Sequence, residues 1–391
     1  MKILFVDWGG YGAMDMKEAF IEEGHELLLF PYTVSASYPY GRYVNDEETE
    51  ARLQAALREK VPEAVFSINY FPVISKVCQK EGIRYISWNY DCPHRLLYSP
   101  TIRNACNSVY VFDKKTCLEF HDEGIANMYY MPLAVATDRL DAIGDRGLAS
   151  LPFLYDISFV GSLYLEKVED TFGMIEGLLP DYAKGYLKAL CAVQLKVQGC
   201  DLIEPMLGPV LEDMHRVYPV SSAPFFTESR EHIFGDIIKH RLTAIERIDL
   251  LETIAREYKV DLFTHIIDFP IEKVCDHGTV DYYTEMPMVF KQSKINLNIT
   301  LRNIKSGIPL RAFDIMGSGG FLLTNFQADF LEHFLPGEDF VYYEDREDLL
   351  QKIDYYLIHE EEREEIAKNG HDKVAAEHTY RHRVKEMTGA V

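Results

Sequence analysis

The chain has 391 residues, more than one ordinary hydrophobic core organises, so two or three domains are expected. Its 47% apolar content can fill such cores. A net charge of −22 with no Lys/Arg run argues against nucleic acid or an anionic membrane as the principal partner. The first half alternates short apolar runs with helical stretches. Strands are expected at Ile3–Val6, Glu26–Phe30, Ala64–Ile68, Arg84–Trp88 and Ser108–Phe112, with helices over Met14–Glu23, Thr49–Lys60 and Val73–Glu81. Such alternation implies a parallel sheet covered on both faces. Met131–Ala134 closes this unit, and the stretch 136–155 lacks strand periodicity and reads as a linker.

A second α/β unit opens at Asp156–Ser162 and extends to 377, with a helical elaboration over about 163–257. Strands follow at Val260–Phe263, Lys294–Ile299, Gly320–Thr324 and Phe340–Tyr343, then helices over Glu347–Tyr356 and Glu360–Glu377. The segment His378–Arg383 starts a last helix. The seven cysteines are scattered without a CxxC pair, which suits reduced thiols. The opening apolar run is too short for a secretion signal, and no apolar window reaches the about 20 residues of a membrane span. A cytoplasmic location is expected.

The densest chemistry lies in Asn296–Asn325, read as a strand, a polar loop closed by Pro309, a short helix and a second strand. Ser306, Gly307, Ile308, Pro309, Leu310 and Arg311 gather hydroxyl, backbone N–H and guanidinium donors at the helix start, a natural seat for phosphate. Asp314, one turn along, can accept from a ribose, and Gly317, Gly319 and Gly320 then break the helix. The segment suits a nucleoside diphosphate.

On these residues the chain resembles the nucleotide-binding half of two-domain GT-B glycosyltransferases, specifically the CgeB-like spore-maturation branch. The resemblance implies two Rossmann-like domains with parallel sheets facing across a cleft. The N-terminal domain, 1–135, would bind the acceptor, and the terminal helix, 378–391, would cross back onto it. The C-terminal domain would bind a nucleotide sugar, UDP-linked, with Asp314 in the ribose position. Retaining relatives usually carry a glutamate seven residues before this aspartate, where this chain has Gly307. Retention of anomeric configuration and independence of a metal ion follow from the resemblance alone.

Gly161 and Ser162 follow the first strand of the second unit, either as a phosphate-approaching turn or as an ordinary strand-to-helix connection. Thr264, with His265, ends the next strand at the edge where relatives touch base or phosphate, and Asn298 is either a donor-site ligand or a buried amide. Arg302 and Lys305 either neutralise the leaving group or remain solvated. In the first unit, Asp91 and His94 follow a strand and offer a carboxylate and an imidazole at the ligand-binding edge of an open sheet. The resemblance gives a histidine of this region contact with the donor sugar. That role falls on His94, with Asp91 as its alternative or as a base for the acceptor hydroxyl; both residues could instead only shape the turn.

The Gly9, Gly10, Tyr11 and Gly12 loop is either acceptor-facing or a plain tight turn. It is not a dinucleotide fingerprint, because Asp15 replaces the third glycine and the second strand ends in Phe30-Pro31-Tyr32 rather than an acid. No HExxH, HxH or DxD-like spacing occurs, and Asp141 and Asp145 lack a third ligand, so neither a metal site nor a bound cofactor is expected. Glycosyl transfer to an unidentified acceptor is the leading reading. A nucleotide-sugar epimerase and a non-catalytic spore-coat or scaffold protein are the alternatives, and oligomeric state is open.

Overall fold

A computed structural model describes residues 1–34, 41–144, 152–164, 170–220, 226–265, 271 and 273–389. Asp145 and part of the expected linker lie outside them, as do segments 165–169 and 221–225 of the expected helical elaboration. The chain forms two compact units. One comprises Met1–Leu133, Ser221–Ser229 and Thr379–Val391, the other Ala134–Val220 and Arg230–His378.

The first unit holds a parallel sheet of β1 (Lys2–Asp7), β2 (Glu26–Pro31), β3 (Ala64–Ile68), β4 (Arg84–Asn89), β5 (Asn107–Val111) and β6 (Met128–Tyr130). Their spatial order is β2-β1-β3-β4-β5-β6. The chain moves outward from β1 to β2 and then returns to the other side of β1, so the strand order reverses between β1 and β3. The central strands β1, β3 and β4 are buried along most of their length, and on one face Phe5, Phe20 and Phe66 meet beneath the Ala13–Glu22 helix at ring separations of 5.0–6.4 Å. Asp46 and Asp113 cap the Glu47–Lys60 and Lys114–Asp122 helices through the Thr49 and Thr116 N–H groups.

The Tyr380–Gly389 helix packs on Ala13–Glu22. Arg381 pairs with Glu23 at 2.7 Å, and Arg383 donates to the carbonyls of Pro132 and Leu133 at 2.8 and 3.2 Å. Residues 226–229 also belong here: the Thr227 N–H bonds to the Tyr98 carbonyl at 2.9 Å and Glu228 pairs with Arg95 at 2.5 Å. Periodicity gave no sign of that, since these residues interrupt the sequence of the helical elaboration.

The second unit holds β7 (Tyr155–Val160), β8 (Val260–Phe263), β9 (Val274–Asp276), β10 (Ser293–Asn298), β11 (Leu322–Asn325) and β12 (Val341–Tyr343), all parallel. Their order is β12-β11-β10-β7-β8-β9, so the reversal falls between β7 and β10. The helical elaboration runs from Thr171–Leu178 to the 25-residue Arg230–Ile254 helix and has its own core around Ile175, Leu187, Met214, Phe234 and Ile238. The stretch read as linker carries a helix, Thr137–Gly144. The sequence reading did not anticipate strands β6 and β9, each three residues long and at a sheet edge.

Candidate functional site

In open parallel sheets ligands collect at the carboxyl ends of strands, at the point where strand order reverses. In the second unit that point lies between β7 and β10. Gly161 and Ser162 leave β7, and the Ile299–Pro309 loop leaves β10 to start the Leu310–Gly317 helix. The two segments singled out for phosphate therefore end neighbouring strands, which chain order alone does not disclose. Thr264 leaves β8, the next strand over, and its buried hydroxyl has no hydrogen-bond partner among the described residues. An unmet buried hydroxyl at a strand end is a vacancy in bonding capacity that a ligand can fill.

Ser306, Gly307, Ile308 and Pro309 are all buried, with the Ser306 carbonyl accepting from the Asp329 N–H at 3.0 Å. Pro309 caps the helix in an extended conformation, which aims the N-terminal turn, including Leu310 and Arg311, at the loop. Asp314 is buried. Its Oδ1 accepts from the Tyr282 hydroxyl and its Oδ2 from Arg311 Nη1, each at 3.1 Å. Arg311 also lies 5.6 Å from the Phe290 ring centroid and touches the Met286 sulfur, while about a quarter of its side chain (27%) stays exposed. The ribose acceptor and the phosphate donor of the sequence reading thus form one clasp. Gly320 is required for packing: a Cβ there would stand 2.7 Å from Asn296 Nδ2 and 3.0 Å from the Phe290 carbonyl.

Three other residues serve the scaffold. The Asn298 amide is buried between the hydroxyls of Thr300 (3.1 Å) and Thr324 (2.8 Å). Arg302, considered for the leaving group, instead pairs with Glu246 at 2.7 Å and bonds the Val197 carbonyl. Lys305 lies 3.6 Å from Glu204. Neither cation is a solvated surface charge, because each side chain is 8% exposed.

Arg247 carried no signal in the sequence. It lies inside a long helix, yet it binds both strand ends at the reversal point. Its Nε and Nη2 donate to the Ile299 carbonyl at 3.0 and 2.5 Å, and Nη1 donates to the Ser162 carbonyl at 2.5 Å. The guanidinium sits over the Phe159 and Tyr164 rings at 5.3 and 5.0 Å, and burial lowers its pKa from the usual arginine range. Tyr282 was likewise missed, since only the fold brings it to Asp314.

In the first unit the reversal point lies between β1 and β3. The Gly9–Gly12 loop leaves β1 there, joined across by Trp8 Nε1 donating to the Ile68 carbonyl at 2.7 Å. Gly12 has a φ of +74°, and a Cβ would come within 2.5 Å of the Tyr380 hydroxyl. Tyr11 is exposed. Asn69, just past β3, organises the next loop. Its Oδ1 accepts from the Tyr90 and Asp91 N–H groups at 2.8 and 3.2 Å, and its Nδ2 donates to Asp91 Oδ2 at 2.7 Å. His94 Nε2 is 2.8 Å from the Tyr70 carbonyl, which can only accept, so the proton sits on Nε2 and Nδ1 keeps its lone pair. Burial lowers the His94 pKa, with the Asp91 charge opposing it. Burial thus favours the neutral imidazole.

Residues 245–389 match the family model described as glycosyl transferase-like. No curated protein sequence matches the chain. Solved structures share its fold at low sequence identity. HepE from Anabaena, solved with UDP-glucose, is 10% identical with a TM-score of 0.56, the match covering 100% of both chains. Sucrose-phosphate synthase from Thermosynechococcus elongatus is 11% identical with a TM-score of 0.54, covering 100% of this chain and 98% of the other. A Listeria monocytogenes protein described as a UDP-N-acetylglucosamine 2-epimerase is 9% identical with a TM-score of 0.51, covering 96% and 94%. The chain has the GT-B glycosyltransferase fold, and residues 245–389 are similar to the glycosyl transferase-like family.

Proposed function

We propose that this protein transfers a glycosyl group from a nucleoside diphosphate sugar, UDP-linked, to an acceptor hydroxyl, with retention and without a divalent ion, as a member of the CgeB-like branch. The observation that carries this is that β7 and β10, the strands that lead into Gly161–Ser162 and into the loop ending at Ser306–Arg311, lie side by side at the reversal point, with Thr264 at the end of the next strand, β8. The matched family model supports the same chemistry.

The reaction breaks the bond between the anomeric carbon and the diphosphate oxygen and forms one to the acceptor oxygen, whose proton must leave. Negative charge builds on the departing diphosphate. Preorganised N–H groups at the Leu310–Gly317 helix start and the Arg311 guanidinium would stabilise it, and Asp314 would hold the ribose. In the first unit, His94 is the candidate to lie near the reacting carbon, with Asp91 the alternative or the base for the acceptor hydroxyl.

The test is a calorimetric titration with UDP-, GDP-, dTDP- and CMP-linked sugars, with and without magnesium, followed by product analysis. Saturable, metal-independent binding of one sugar nucleotide and acceptor-dependent release of its nucleotide would support the reading. Conversion of the sugar without an acceptor would favour the epimerase, and binding of none of the four would favour the scaffold. The opposite anomer in the product would overturn retention.

A further inference from the structure

We propose that Asp261, Cys275 and His277 bind a divalent transition ion of the zinc class on the β8–β9 edge of the second sheet, apart from the β7–β10 site. The strand register pairs Asp261 directly with Cys275, and His277, two residues on, shares the Cys275 face. The His277 N–H bonds to the Leu262 carbonyl at 2.9 Å, which continues the pairing one step past β9. A carboxylate oxygen, a thiol sulfur and an imidazole nitrogen consequently lie within 4.8 Å of one another. Thiolate with imidazole and carboxylate is a donor set that suits zinc, whereas magnesium and calcium take oxygen ligands. Three protein ligands leave a fourth position for water.

A second observation points to a ligand. Asp261 is 0% exposed, and its Oδ2 is buried with no hydrogen-bond partner among the described residues. Its Oδ1 is already occupied, 2.7 Å from His277 Nε2 and 3.3 Å from Lys259 Nζ. A buried carboxylate with one bare oxygen is costly, and an ion would satisfy it. Cys275 is exposed and a third of the His277 side chain is accessible (33%), so an ion can enter from solvent. The imidazole is oriented beforehand, stacked on Phe263 at 4.7 Å and edge-on to Tyr155 at 5.7 Å.

Lys259 is the competing cation. Its side chain is 58% exposed and can swing out as the ion arrives, while the Cys275 thiol gives up its proton. The bound ion ties the edge strand β9 to β8. Ligand spacing along the chain hid the site, because the carboxylate comes from a different strand.

Chelator-treated full-length protein is titrated with Co²⁺ and then Zn²⁺, with ultraviolet–visible absorption as the readout. The expected result is a thiolate-to-cobalt charge-transfer band that saturates at one ion per chain and is abolished by Zn²⁺. The band is absent in Cys275→Ser, affinity falls about tenfold or more in His277→Gln and Asp261→Asn, and it rises in Lys259→Met. Should buried Asp261→Asn fail to fold, the His277→Gln variant, altered at an accessible side chain, carries the test. No saturable band, a band that persists in Cys275→Ser, or unchanged affinity in His277→Gln would overturn the proposal.

Discussion

Arg311→Ala separates the clasp of Asp314 that the structure shows from the phosphate contact proposed for the same guanidinium. In the free protein Arg311 clasps Asp314 at 3.1 Å, three residues along the same helix, and lies over the Phe290 ring. A partly exposed pair at this spacing stabilises by about 0.3–0.5 kcal/mol and the ring contact by about 0.5–1 kcal/mol, so the variant should lose about 1 kcal/mol of stability. Asp314 keeps the Tyr282 hydroxyl, which limits the damage.

A charge-assisted hydrogen bond to phosphate is worth more, about 1.5–3 kcal/mol, which corresponds to an about 10- to 150-fold rise in the Kd for UDP. Calorimetry with UDP and with uridine reads binding, and a urea titration reads stability. The expected pattern is a large loss for UDP, little change for uridine and a small shift of the urea midpoint. Transfer activity should fall below detection. Arg311→Lys should fall between, keeping the charge and losing the fork. A UDP Kd within about twofold of the parent, far below the loss a phosphate hydrogen bond implies, would remove Arg311 from the phosphate site and leave it as the clasp of Asp314.

His94→Gln keeps a donor for the Tyr70 carbonyl and removes the proton-accepting nitrogen. Turnover should drop about 100-fold or more with donor Kd unchanged; a large loss of donor affinity instead would make His94 a binding residue. Because burial lowers the His94 pKa, parent activity should persist as pH falls below the usual histidine value of about 6.5, and a pH–rate profile checks this. Thr264→Val removes a buried hydroxyl that bonds to nothing among the described residues. Stability should hold or rise while sugar-nucleotide affinity falls about 3- to 10-fold, and equal affinity would exclude Thr264 from the site. Burial would push the Glu204 carboxyl up, but His232, Lys239 and Lys305 around it hold it well below the usual carboxylate range. Its stabilisation is therefore present above about pH 4.3 and is lost as pH falls further. Glu204→Gln should flatten the acid slope of the urea midpoint, and parallel slopes in parent and variant would assign that slope to other groups.

The alternation of apolar runs and helices announced two parallel α/β sheets, because strands buried on both faces must be apolar throughout. The helix start after Pro309 and the glycine run were equally legible, since proline and glycine act through local backbone sterics. The sequence carried the candidate phosphate, ribose and imidazole residues, but not their partners. Arg302 and Lys305 look alike with Arg311 on paper; only the fold pairs the first two with Glu246 and Glu204 and leaves the third partly open.

Strand order was invisible for the same reason. β7 and β10 lie side by side although Ser158 and Asn296, bonded across them at 3.1 Å, are 138 positions apart in the chain. Arg247 reaches the Ser162 carbonyl across 85 positions, and Asp261 meets Cys275 only because β9 adds to β8 in that register. Local chemistry along the backbone determined which elements form and where each ends. Which ends meet, and which charges are already spent on one another when they do, is settled by long-range packing, for which no short window of sequence holds the information.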